Sequence, residues 1–159
     1  MKLWTKTFWT THSRRRWMVM LTMWALAVAP LAARGATVEE LKERVANVGI
    51  AERPALCIEI SERRLAEADR LYVAGDSDKA KTSLMDVTAF AELARDYAIQ
   101  SHKHEKQSEI AIRKMTRKLA NLKHAVAHDD QQPIQDVIDH LQRIRDDLLA
   151  AMFPKGVKK

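Results

Sequence analysis

His124 and His128 stand four residues apart in a stretch without Gly or Pro. On a helix that spacing puts two imidazoles on one face, as metal ligands require. Asp129 and Asp130 follow directly and offer carboxylate oxygens, so the chemistry within reach is a weak Zn²⁺, Ni²⁺ or Cu²⁺ site. No Cys or Glu completes the ligand set. The more ordinary role for both imidazoles is a solvated one near a helix end, where partial positive charge is favoured. His102 and His104, two apart, would point to different sides of a helix. His124 and His128 are therefore the candidate metal ligands, and no cofactor is expected.

Catalytic chemistry is not written in the chain. Its four glycines (Gly35, Gly49, Gly75 and Gly156) are too scattered for a phosphate-cradling loop. No Ser, His and acid fall into a nucleophile motif. Helical bundles can hold inward Glu and Glu-x-x-His ligands, but the inward positions here are Ala, Leu, Ile and Val. No catalytic or cofactor-binding residue is expected, and the protein is read as a non-enzyme. Cys57 is the single cysteine, so no internal disulfide forms; at helical spacing it is a small buried apolar residue.

The formal charge of +6 and pI near 9.6 suggest a polyanion binder until the charges are located. Residues 1–35 hold six basic side chains (Lys2, Lys6, Arg14, Arg15, Arg16 and Arg34) and no acid, which leaves the remainder balanced at 21 of each sign. Within that remainder, residues 102–123 carry seven Lys or Arg against two Glu, and residues 129–147 carry six Asp against two Arg. Laid antiparallel, these segments would present complementary edges that select helix partners. No nucleic acid partner is expected, because the basic segment has an acidic neighbour and lacks aromatics.

What must position these groups is the segment 77–129, which contains neither Gly nor Pro. Ala80, Leu84, Val87, Ala91, Ala94, Ala98, Ser101, Glu105, Ser108, Ile112, Met115, Leu119, Leu122 and Val126 recur at alternating spacings of four and three. That period marks a helix offering one seam to partners. As one helix, residues 77–128 would reach roughly 78 Å. The seam turns polar at Ser101, Glu105 and Ser108, where a bend or break is left open. Tyr72, Phe90 and Tyr97 are read as intramolecular core, with a groove or dimer face along the alanines as the alternative.

Flanking helices are predicted on each side. Thr37 and Glu40 form a capping box that opens a short helix ended by Gly49. Pro54 starts the next, with the stripe Ile58, Ser61, Leu65, Ala68 and Tyr72. Ala74-Gly75-Asp76-Ser77 reads as a tight turn between antiparallel helices. After the polar link 129–132, Pro133 is expected to start the last helix, striped by Ile134, Val137, Leu141, Ile144, Leu148 and Ala151.

Residues 68–80, centred on Gly75-Asp76 and followed by Lys79-Ala80, resemble the helical turn of tetratricopeptide repeats. That resemblance implies a second turn about 34 residues on. Residues 102–114 show none, which leaves a generic helix hairpin. The chain is also similar in style to small exported all-helical bacterial proteins of unassigned role.

Residues 1–35 read as an export signal: basic residues ending at Arg16, an apolar run over residues 17–29, then Ala33 and Gly35 at the small positions before a cut. An uncleaved anchor is the alternative, at the short edge of the roughly 17–25 residues a span needs. Ser13-Arg14-Arg15-Arg16-Trp17-Met18 resembles a twin-arginine signal, and a general secretory signal fits the same residues.

The expectation is therefore an all-α protein of antiparallel helical hairpins around one long central helix, an elongated three- to four-helix bundle. It divides into a signal peptide (1–35), a short N-terminal helix (36–52), the bundle (53–154) and a basic tail (155–159). The expected role is an exported, periplasmic or secreted, non-enzymatic interaction or scaffold protein, working through a protein partner or self-association on a helix face. Membrane attachment is expected only through an uncleaved leader. A metal-responsive protein using His124 and His128 is the alternative.

Overall fold

The computed structural model describes residues 36–154. The leader and tail predictions lie outside the described residues. Among the described residues five helices follow one another: α1 (Val38–Asn47), α2 (Arg53–Val73), α3 (Ser77–Ser101), α4 (Glu105–Ala125) and α5 (His128–Met152). The all-α bundle is therefore the fold. Among the described residues no helix is long and apolar enough to cross a membrane.

Local chemistry sets most of the boundaries. Thr37 Oγ1 accepts from the Glu40 amide at 3.2 Å while Glu40 Oε2 accepts from the Thr37 amide at 2.8 Å, completing the capping box. At the end of α2, Gly75 takes φ 79°. Its amide donates to the Tyr72 carbonyl at 3.0 Å, and the Asp76 amide donates to Leu71 at 2.9 Å. That is the Schellman pair, which satisfies carbonyls the helix would otherwise leave bare. Asp76 then caps α3 through the Lys79 amide.

The long segment is two helices. It breaks at His102-Lys103-His104, inside the polar stretch of the seam, with His102 and His104 in the left-handed region at φ 53° and 62°. The start of α5 also differs from expectation. The helix begins at His128, and Pro133 lies inside it. Asp129 and Asp130 occupy the first turn, where carboxylates suit the free amides and the helix dipole. A proline so near the N-terminus sacrifices one hydrogen bond, to the carbonyl of exposed Asp129.

Two antiparallel hairpins, α2–α3 and α4–α5, face each other with α3 against α5 and α2 against α4. Their shared core includes Leu65, Leu84, Val87, Ile112, Met115, Leu119, Leu141, Ile144 and Leu148. Helix α1 caps one side, burying Leu41 against Leu56 and Ile60. Arg64 ties three helices together through Glu39 at 3.5 Å, Glu67 at 2.7 Å and Asp86 at 2.9 Å.

The alanine half of the seam is closed by α2. Ser61 Oγ, fully buried, donates to the Val87 carbonyl at 2.8 Å. In that antiparallel register Ala68 lies level with Ala80, Cys57 with Ala91 and Pro54 with Ala94. All six are buried. Small side chains on both helices let the backbones approach. Tyr72 packs on the main core, Phe90 on the α1 cluster beneath Lys42, and Tyr97 beneath Arg53 with 5.2 Å from guanidinium to ring centre. All three aromatics are thus intramolecular.

Burial pushes the Cys57 thiol up to about 11, against a smaller opposing pull from Arg53. The thiolate is the reactive form. Cys57 is therefore expected to resist a disulfide reagent in the native protein at pH 8 and to react at once in urea, read as absorbance of the released thiol. The folded value lies above the ordinary 9.0. This group's stability contribution is thus whole below pH 9 and is lost as pH rises from 9 toward 11, checked by urea melts across that window.

Candidate interaction face on α4

The core-facing residues of α4 are Ser108, Ile112, Met115, Leu119 and Leu122, all buried. The same 3.6-residue geometry turns Lys106, Ile110, Arg113, Lys114, Arg117 and Lys118 outward, where all are exposed. Lys106, Arg113, Lys114 and Arg117 surround Ile110, which keeps 44% of its surface. A shallow groove of about 330 Å³ borders this face, with Arg113, Arg117, Arg145 and Asp146 on its walls.

The acidic helix does lie alongside the basic one, antiparallel, as the charge pattern predicts. The predicted ion pairs are a different matter. Across α4–α5 the pair that forms joins the minority charges: Arg145 of α5 donates to Glu109 of α4 at 2.7 Å. Glu109 is only 7% exposed. Arg113 approaches the same carboxylate at 3.8 Å. Two of the acids of α5 turn instead to α3. Asp147 accepts from Arg95 at 2.9 Å. Asp130 accepts from Ser77 at 2.7 Å and pairs with Lys81 at 3.0 Å. The Ser77 hydroxyl first, then Lys81, hold the Asp130 carboxyl below the usual carboxylate range. His140 of α5 meets Glu92 of α3 in the same interface. Lys123 bonds Gln135 at 2.7 Å, a neutral partner.

Among the described residues, Lys106, Lys114, Arg117 and Lys118 have no carboxylate within ion-pair distance. The α4 face is therefore electropositive: Asp130 and Asp147 of α5 are paired with α3, and Asp146 alone of the α5 acids lines the groove beside it. The reason is topological. Because α3 packs on α5, the cations of α3 reach the acids of α5 first. Hairpin logic alone, which pairs α5 only with α4, does not reveal this.

The histidine pair does not form the arrangement its spacing suggests. His124 lies in the last turn of α4 and His128 begins α5, with Val126 and Ala127 capping the two helices between them. The imidazoles do not share a helix face, and both are exposed. Among the described residues, no group of three or more His, Cys, Asp and Glu side chains is placed to hold a metal ion. A hairpin turn is present at Gly75, and the joint at residues 102–104 has none of its features.

A groove of about 420 Å³ lies between α2 and α4, lined by Leu65, Ala66, Asp69, Lys118, Asn121 and Leu122 among others. It is shallow and carries no convergent polar set. No family model, curated protein or solved structure matches this chain.

Proposed function

We propose that the chain is an exported, non-enzymatic interaction protein of the bacterial envelope that docks an acidic protein surface on the outer face of α4. The observation that carries this is the set Lys106, Lys114 and Arg117 around exposed Ile110, with Lys118 beyond, none of which has a carboxylate within ion-pair distance among the described residues. A rigid helix with cations at fixed intervals and one apolar contact in their midst suits a charged partner with a small apolar anchor. An acidic protein is favoured over nucleic acid because residues 102–123 contain no aromatic side chain on which a base could stack. The export-like leader points the same way.

A photo-crosslinking amino acid placed at Ile110 tests this in envelope preparations. The expected result is an adduct with an acidic protein, weakened roughly tenfold or more by Lys114→Glu with Arg117→Glu and by high salt. These exposed positions tolerate charge reversal without unfolding. No adduct, or one indifferent to charge reversal, overturns the assignment.

A further inference from the structure

The α2–α3 turn and the α3–α4 joint are built on opposite principles. The first has Gly75 at positive φ, a Schellman hydrogen-bond pair and an Asp cap. The second places two histidines in the left-handed region, a conformation that costs an L-residue with a Cβ. It also lacks caps: His104 makes no side-chain cap to α4, and the amides of Lys103 and His104 find no acceptor in the last turn of α3. Yet the sequence through it contains no Gly or Pro, and Ala94, Ala98, Ser101, Glu105, Ser108 and Ile112 keep the 3.5-residue spacing across it, although the three nearest the joint are polar. No helix breaker forces the bend at residues 102–104; the docking of one hairpin on the other favours it.

We propose that a second copy of this chain can supply that docking: the joint straightens, α3 and α4 fuse into one helix over residues 77–125, and two chains exchange their α4–α5 hairpins. Each α2–α3 hairpin then receives the partner's α4–α5 hairpin through the contacts now made within one chain, because the core residues that join the hairpins come from both. The uncapped amides and carbonyls of the joint acquire helical hydrogen bonds, and the left-handed strain disappears. Exchange is reciprocal, so the assembly closes as a two-fold dimer. It would carry two α4 faces on one rigid body, a property independent of whether that face binds a partner.

The chain, refolded from urea at high and at low concentration, is analysed by light scattering beside two variants. His102→Gly with His104→Gly suits the bend and opposes the helix. His102→Ala with His104→Ala does the reverse. Each glycine favours the bent joint by roughly tenfold, so the double variant should weaken dimerisation about a hundredfold per chain. The alanine variant should strengthen it. Spin labels at Thr82→Cys and Lys114→Cys, diluted with unlabelled chain, read the geometry. In the dimer their intrachain separation should be about 48 Å, the length of that much continuous helix. A chain and alanine variant that stay monomeric at high concentration overturn the proposal. So does a dimer formed equally by the glycine variant, or one whose labels stay at the short monomer distance.

Discussion

Leu119→Ala is expected to lower the unfolding free energy by about 2–5 kcal/mol, whereas Arg117→Ala, two residues earlier on the same helix, should change it by no more than about 0.5 kcal/mol. Leu119 is fully buried in the core shared by both hairpins. Truncation removes apolar contact and leaves a cavity that rigid neighbours, Met115 and Leu141 among them, fill only in part. Arg117 is exposed and has no ion-pair partner among the described residues. Urea unfolding followed by circular dichroism measures both. The pair matters for function because a lost crosslink at Ile110 in an α4 variant is informative only if the bundle is intact. Equal losses in the two variants would mean that α4 lies on the bundle with a different face inward.

Those features of the fold that rest on local chemistry were legible. Thr37 and Glu40, Gly75 and Asp76, and the stripes of α2 and α5 each announce themselves through a hydrogen bond or a period that needs no distant partner. The break in the long helix was visible only as a weakness. Ser101, Glu105 and Ser108 interrupt the apolar seam, but nothing in His102-Lys103-His104 signals a left-handed joint of the kind Gly75 signals. Tertiary docking decides it, and the residues that do the docking lie elsewhere. Pro133 misled for a related reason. Proline favours a first turn, but two aspartates ahead of it favour one too, and the helix starts where the carboxylates meet its free amides.

The candidate face was half legible. The clustering of cations over residues 102–123 is plain in the sequence, and so is the acidic helix that follows. What fails is the step from adjacency to pairing. Net charge predicted that α5 would neutralise α4, but side chains pair one at a time. Asp130 and Asp147 find Lys81 and Arg95 on α3, and the α4–α5 ion pair uses Glu109 and Arg145, each the minority sign on its own helix. The helix-face argument for His124 and His128 rests on the same kind of step. Their spacing aligns them only if the helix continues, and it stops at Ala125.

Ala91→Leu is expected to destabilise the protein by about 1–3 kcal/mol although it adds apolar surface, while Ala89→Leu on the same helix should be close to neutral. Burying the extra side chain would favour the variant by at most about 1.5–3 kcal/mol if there were room for it. There is none to spare. Ala91 is fully buried and level with Cys57, also fully buried, in the register fixed by the Ser61–Val87 hydrogen bond. A serine hydroxyl 2.8 Å from a carbonyl of the neighbouring helix requires a close approach of the two backbones. Three added carbons must then push α2 away, break that bond and loosen Leu65 and Val87 behind it. Ala89 is exposed, and a leucine there meets solvent. Thermal melts should show Ala91→Leu lower by on the order of 5–10 °C. An unchanged or higher melting temperature would mean that α2 does not close the alanine seam. The seam would then be an open groove, and the search for a docking surface would move from the cations of α4 to the alanines of α3.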